Sequence, residues 1–576
     1  MWAPFAQAVT VAGDFNAWSS AATPLAAEGQ GYWSADVPAA ASGSEYKFVL
    51  VGPSGTVWRK DPYGREVNNS ADNSIVRSAD FEWGDAAYQT PPWNEMVIYE
   101  LHVGTFNDPD QDRPGSFASV AARLDYLADL GVNVIEIMPS MEFATDFSWG
   151  YNPSDIFAIE SAYGGPAALK ALVRAAHEHG IAVIFDVVYN HFGPSDLDLW
   201  QFDGWSQGGG GGIYFYEDGR RQTPWGDTRA DYGRPEVRSF IADNARHWLE
   251  EFRFDGLRWD ATAFIRNQYG DGDPAADIPD GWALMQQLTR DTDARQPWKL
   301  HIAEDLQNDE WLTRTADLGG AGFDSQWDAA FVHPVRAALI AASDGTRNMF
   351  DLRDAILHRY RDDPFTRVIY TESHDEVANG KERLPEEITP GDAGSGYARK
   401  RSTLGAVLVL ASPGIPNLFQ AQEILADKWF SDRDRIDWTR AVTYAGIVAL
   451  YRDLIHLRRN VADTTRGLRG QGADVHHVND DMNVIAFRRW ESGGPRDDVL
   501  VVLNVSWQPY DSYRVGVPRA GTWTVRLDTD QRRYSDDYGG GGPAAVDADD
   551  QPYDGLPYSV ALPLRPYSAL LLSQDQ

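Results

Sequence analysis

Apolar and polar positions change rhythm twice along the 576 residues. Over about the first 85 they alternate, with turn residues between the runs. Val9-Thr10-Val11-Ala12 followed by Gly13-Asp14-Phe15-Asn16 reads as strand then turn, and Glu45-Tyr46-Lys47-Phe48-Val49-Leu50 as another strand. This pattern predicts a small β-sandwich over residues 1–88. It starts at Met1-Trp2 already inside strand-like sequence, as though a preceding strand were lacking. From residue 91 to 460, short apolar runs at 96–103, 132–138, 181–188, 254–259, 299–303, 322–327, 367–370 and 414–419 alternate with helical stretches. The stretch 235–252 shows the helical period, with Val237, Phe240, Ile241 and Trp248 apolar. Eight strands alternating with helices predict an α/β fold, a closed (β/α)8 TIM barrel over residues 89–460. An insertion at about 192–234 carries the glycine run 208–212, which fits no phosphate-loop spacing and reads as flexible. Strands return at 498–504, 522–528 and 558–572, giving a C-terminal all-β domain over 461–576. A polar, Gly-rich stretch at 536–550 interrupts it, and no internal repeat is evident.

Composition narrows the classes of function. Net charge is −34, with 51 basic and 85 acidic residues. So acidic a surface repels phosphate backbones and anionic lipids, and no nucleic-acid or membrane partner is expected. Only seven of the basic residues are Lys, and there is no cysteine, which rules out disulfides, thiol chemistry and zinc–thiolate sites. No apolar run approaches the ~18 residues of a membrane span, and no signal-peptide pattern opens the chain. A cytoplasmic protein is expected. The 21 Trp, 25 Tyr and 24 Phe are assigned mostly to a large core, with stacking platforms for sugar rings as the second use.

The chemistry lies at the strand ends, where barrel enzymes place it. The third strand ends Phe185-Asp186-Val187-Val188-Tyr189-Asn190-His191, and the fourth runs Asp255-Gly256-Leu257-Arg258-Trp259-Asp260. The fifth ends Ala303-Glu304-Asp305, and the seventh runs into Thr371-Glu372-Ser373-His374-Asp375-Glu376. One such charged strand end alone is more often a structural ion pair. Four in one barrel point to a site, because buried charge is costly unless used or paired. Three carboxylates, two histidines and an arginine suit glycoside cleavage. The retaining reaction needs a nucleophilic carboxylate and an acid/base about 5–5.5 Å apart. Arg258 and Asp260 alternate by two and share a face, so the cation lowers the pKa of the nucleophile. Glu304 closes an apolar strand and fits the acid. Asp375 is then free to grip sugar hydroxyls and distort the ring.

These segments resemble, in order, the motif regions of glycoside hydrolase family 13, the α-amylase family. The opening sandwich resembles a family 48 carbohydrate-binding module, and the tail resembles the family's all-β C-terminal domain. The resemblance implies Asp260 as nucleophile, Glu304 as general acid/base and Asp375 as transition-state stabiliser. It implies Arg258 holding Asp260 ionised, His191 and His374 hydrogen-bonding the sugar on the non-reducing side, and Asp186 in support. Trp149-Gly150-Tyr151 resembles the family's aromatic segment, with Tyr151 stacking on that sugar and Trp149 beside it.

Subfamily signals divide. Residues 97–106, the 186–194 segment and Thr223-Pro224-Trp225-Gly226-Asp227 resemble maltooligosyltrehalose trehalohydrolases; Ser373-His374-Asp375-Glu376-Val377 with Gly380-Lys381 resembles glycogen branching enzymes. Ala263-Phe264 follows the nucleophile where amylases often have Lys-His, and Ala421 stands where the family normally has Gly. The expected substrate is an α-1,4-glucan of starch or glycogen type, cleaved with retention. Branching-type transfer and amylase-like hydrolysis stand about even, trehalohydrolase is third, and a catalytically inactive glucan-binding protein is the reading from another class. No cofactor is expected. Calcium is the alternative, because Asn190 matches a ligand position of calcium-dependent amylases, although the insertion that supplies the other ligands is short. The sequence leaves the oligomeric state open.

Overall fold

The computed structural model describes residues 1–84, 88–110 and 112–576. Eight parallel strands close into a barrel. They are Ile98–Leu101 (β1), Val134–Ile137 (β2), Ala182–Val187 (β3), Gly256–Trp259 (β4), Leu300–Ala303 (β5), Ser325–Trp327 (β6), Arg367–Ile369 (β7) and Ile415–Phe419 (β8). Every residue of all eight is buried, as expected of parallel strands covered on both faces. Each expected run contains its strand, trimmed by a few residues. The helical stretch starting at residue 235 is helix Pro235–Arg246, continued by a π-helical turn at His247–Glu251.

Two compact units make up the chain: Met1–Thr90 with Leu101–Leu124 and Glu136–Asp324, and Pro91–Glu100 with Asp125–Ile135 and Ser325–Gln576. In the first unit, strands Ala8–Gly13, Glu45–Gly52, Gly55–Arg59 and Ser74–Ile75 form one sheet, and Ala26–Gly29 pairs with Tyr32–Ser34. This N-terminal module sits on the insertion. Arg59 donates from Nε to the Phe202 carbonyl at 3.1 Å and from Nη2 to that of Gln201 at 3.0 Å. Phe5 stacks on Trp205 at 4.4 Å, and its N–H donates to Asp203 at 2.9 Å. A methyl group on Gly52 would stand 1.9 Å from the Asp203 carbonyl oxygen, so the two backbones meet only because that side chain is missing.

The reading of 208–212 as a flexible run is corrected for its second half, while Gly208 and Gly209 are exposed. Gly210–Gly212 are buried against Glu217, Phe215 and Trp205, and Ile213-Tyr214-Phe215-Tyr216 behind them are buried too. The glycines serve close packing, a use that composition cannot separate from looseness.

In the second unit the C-terminal domain is a six-stranded sheet with a separate two-stranded pair, around Trp523, Leu500, Val515 and Leu562. The expected strand 558–572 is two strands, Tyr558–Leu564 and Ser568–Ser573, in different sheets, and the 536–550 stretch contributes a short strand, Ala545–Asp547. Strands Gly472–Asn479, Val484–Trp490 and Tyr510–Val517 had no sequence reading. Buried Arg489 ties the sheet to the end of helix Gly396–Ala411, donating from Nη1 to the Ala411 carbonyl at 2.7 Å. Among the described residues no helix is long and apolar enough to cross a membrane.

Candidate active site

In the first unit the acids of β3, β4 and β5 converge on one cation. Register sets Asp186 of β3 beside Arg258 of β4, and Asp260 and Glu304 directly follow β4 and β5. The Arg258 guanidinium is fully buried. Its Nη1 donates to Asp186 Oδ2 at 2.8 Å and to Asp260 Oδ1 at 3.2 Å, while Nη2 lies 3.1 Å from Glu304 Oε2. Burial works against this charge, yet Asp186, Tyr151, Glu304 and Asp260 together push the pKa of Arg258 well above the ordinary guanidinium value. The cation is permanent, and Asp260 and Glu304 each keep a small opening to solvent, at 8% and 7% exposure.

The backbone fixes the acid. The Ala261 N–H donates to Glu304 Oε2 at 2.8 Å, with Ala261 held at φ +40°, and the Thr262 N–H donates to the Glu304 carbonyl at 2.7 Å. Asp305 faces elsewhere, taking two bonds from Arg266 at 2.9 and 2.8 Å.

The Tyr151 hydroxyl donates to Asp186 Oδ2 at 2.7 Å, and the Arg258 guanidinium lies 5.8 Å from its ring centre. Its polar end is thus part of the charge cluster. Trp149 is half-buried just before Gly150, whose φ of +94° lets the chain pass Pro139 closely. His191 is buried, and desolvation pushes its pKa down to about 4, so it is a neutral hydrogen-bonding group at ordinary pH. Its ring stacks on Trp225 at 4.8 Å, and Trp225 meets Phe264 edge-on at 5.0 Å. Sequence reasoning missed Trp225 and Phe264 as site residues. Both were visible as subfamily signatures, but nothing local reveals that the insertion folds over His191.

In the second unit His374 Nδ1 lies 2.5 Å from Glu100 Oε1, and Glu100 Oε2 accepts from Asn417 Nδ2 at 3.2 Å. Glu100 of β1 is a further missed residue, fully buried and orienting the histidine. Asp375 is open to solvent (44% side-chain exposure), accepts from Asn379 at 3.2 Å and stands 3.7 Å from His374 Nε2. Glu376 is buried among cations, 2.8 Å from Lys381 and 3.5 Å from Arg336.

Ala421 now has a physical account. Its φ is +67°, the left-handed conformation that glycine adopts without strain. Asn190 is fully buried, with neither side-chain atom hydrogen-bonded. Among the described residues no group of three or more His, Asp or Glu side chains could hold a metal ion.

A parallel barrel with an arginine-bound pair of carboxylates at adjacent strand ends defines an enzyme of glycosidic-bond chemistry. Residues 101–203 match the α-amylase catalytic domain, 475–575 the α-amylase C-terminal all-β domain and 1–64 carbohydrate-binding module 48, the isoamylase N-terminal domain. The chain belongs to the α-amylase family. It is 31% identical to a 1,4-α-glucan branching enzyme, GlgB, of Rhodospirillum rubrum, over 100% of this chain and 79% of the relative. It is 33% identical to the GlgB of Leifsonia xyli over 99% of this chain and 79% of that one. A pullulanase from Anoxybacillus, solved with maltotetraose, shares the fold at a TM-score of 0.75 and 20% identity, covering 100% of this chain and 85% of that one.

Proposed function

We propose that this protein is a retaining, branching-type transglycosylase acting on α-1,4-glucans. The observation that carries the retaining chemistry is the single Arg258 guanidinium held against both Asp260 and Glu304. The cation keeps Asp260 ionised for attack on the anomeric carbon. Glu304, fixed by the Ala261 N–H, gives its proton to the departing glycosidic oxygen. The products of this step are a glycosyl-enzyme on Asp260 and a free chain end. Glu304, now a carboxylate, takes the proton of the incoming hydroxyl, and the second displacement restores the original configuration. His191 and His374 bond the sugar on the non-reducing side, where Tyr151 and Trp149 supply its aromatic surround. Asp375, open to solvent, grips hydroxyls of the distorted ring, and Asp186 braces Arg258.

Hydrolysis differs only in that water is the second acceptor. Transfer is preferred because relatives that match across this whole chain are named as branching enzymes. The reading needs no cofactor, and a cytoplasmic setting belongs to it. A neutral polymer is also the natural partner for a chain of net charge −34.

The test follows amylose by iodine staining and reducing ends together. Staining lost without new reducing ends is the expected result; both changing together would convert the reading to hydrolysis. Cleavage of maltooligosyltrehalose with neither change would replace it. Asp260→Asn should abolish turnover and keep oligosaccharide binding, and an active variant would overturn the mechanism.

A further inference from the structure

A cavity of about 350 Å³ lies in the first unit at the N-terminal ends of β4 and β5, the barrel end opposite Asp260 and Glu304. Its floor is fixed by Asp255, the residue before β4. Asp255 Oδ1 accepts from Thr90 Oγ1 at 2.7 Å, and Oδ2 accepts from the Val183 N–H at 2.8 Å and lies 2.9 Å from His177 Nε2. Tyr88 stacks flat on His177, centroids 3.9 Å apart with 4° between planes. Lys299, before β5, is held by the carbonyls of Leu249 and Phe254. The polar floor is thus built before any ligand arrives.

One feature of the wall is open to a ligand. Trp298 is 56% exposed, an apolar face at the mouth of a polar cavity. The charges lining the cavity balance, with Arg174, Arg253 and Lys299 against Glu178, Glu250 and Asp255. A phosphorylated ligand would want excess positive charge. A sugar hydroxyl both donates and accepts, so it suits donors and acceptors in equal supply, and its ring suits an indole face. The volume is at the lower end of ligand pockets, enough for a short saccharide segment.

We propose that this cavity is a second, non-catalytic carbohydrate site that holds a neutral glucan segment on the Trp298 face. The proposal rests on the glucan activity above, and adds a holding point for a polymer away from the chemistry.

The test uses the full chain carrying Asp260→Asn, run on native gels containing glycogen and titrated with maltoheptaose. Trp298→Ala should weaken glycogen retention at least about fivefold, and Trp298→Phe should keep most of it. In the catalytically intact chain, Trp298→Ala should leave kcat/KM on maltoheptaose within twofold. Trp507→Ala, removing an equally exposed tryptophan of the C-terminal domain, should change neither. Unchanged retention in Trp298→Ala would overturn the proposal, as would Trp298-dependent fluorescence quenching by ADP but not by maltoheptaose. The two readings fail separately: unaltered amylose with glycogen retention that depends on Trp298 rejects only the activity, and amylose branching with retention blind to Trp298 rejects only the second site.

Discussion

Arg258 and Asp186 form an ion pair at 2.8 Å with both side chains closed to solvent, and the same guanidinium nitrogen reaches Asp260 at 3.2 Å. A buried arginine serving three carboxylates has no substitute, because removing it leaves negative charges facing one another out of water. Arg258→Ala is expected to lower kcat/KM by at least about a thousandfold and to cost about 3–5 kcal/mol of stability. Turnover on maltooligosaccharides and denaturant unfolding check both numbers. Wild-type stability in this variant would mean that the carboxylates repack or take up protons freely.

Trp225 shields one face of His191 and is itself 43% exposed. Its loss removes two ring contacts worth about 0.5–1.5 kcal/mol each and frees the imidazole. For Trp225→Ala, KM on glucan should rise about five- to tenfold with a smaller change in kcat, and Trp225→Phe should recover most of it. Steady-state kinetics separates the two constants. Equal loss in both variants would assign Trp225 a purely structural part.

Ala421 adopts φ +67°, and its N–H donates to the Tyr99 hydroxyl at 2.9 Å, so the conformation is pinned from outside. A Cβ in this region costs about 1 kcal/mol relative to glycine. Ala421→Gly should therefore raise stability by about that amount, offset in part by the freer unfolded chain. Calorimetry reads it as a rise of up to about 1 °C in Tm.

Two groups of buried residues make stability depend on pH in opposite senses. His191 and His301, both buried, have pKa values pushed down by desolvation to about 4. The unfolded chain binds their protons near pH 6.5, so this stability is present above pH 6.5 and is lost as pH falls towards 4. Burial and the neighbouring Glu160 push Glu142 up to about 9, and burial pushes Glu160 up to about 8. There the folded state holds the protons, and stability falls as pH rises from about 4.5 to 9. Glu142→Gln should remove part of the alkaline loss. Its Tm should gain on the parent at pH 8.5 and match it near pH 5. A difference independent of pH would show that Glu142 does not titrate in this range.

How much was legible in the sequence depended on the range of the physics involved. The eight barrel strands were readable because parallel strands covered on both faces are mostly apolar, as 182–187 and 415–419 are, and because these runs alternate with helical stretches. Asp260 and Glu304 were readable because each breaks such a run at its end. The division of 558–572 into two strands was not, because Arg565-Pro566-Tyr567 leaves the apolar count unchanged while redirecting the chain to another sheet. The packed glycines at 210–212 were misread because the residues that fill their space, Trp205 and Phe215, act through the fold of the insertion.

By itself, the sequence determined the barrel, its flanking β domains, the acids and the arginine, since each follows from periodicity or from charge placed where charge is costly. Only the tertiary structure decided that one guanidinium serves Asp186, Asp260 and Glu304, that Trp225 covers His191, and that Glu100 orients His374. Those pairings join residues 2 to 274 positions apart. Coulomb and ring contacts act over a few ångströms in space, and only the closed barrel brings such distant positions within that range.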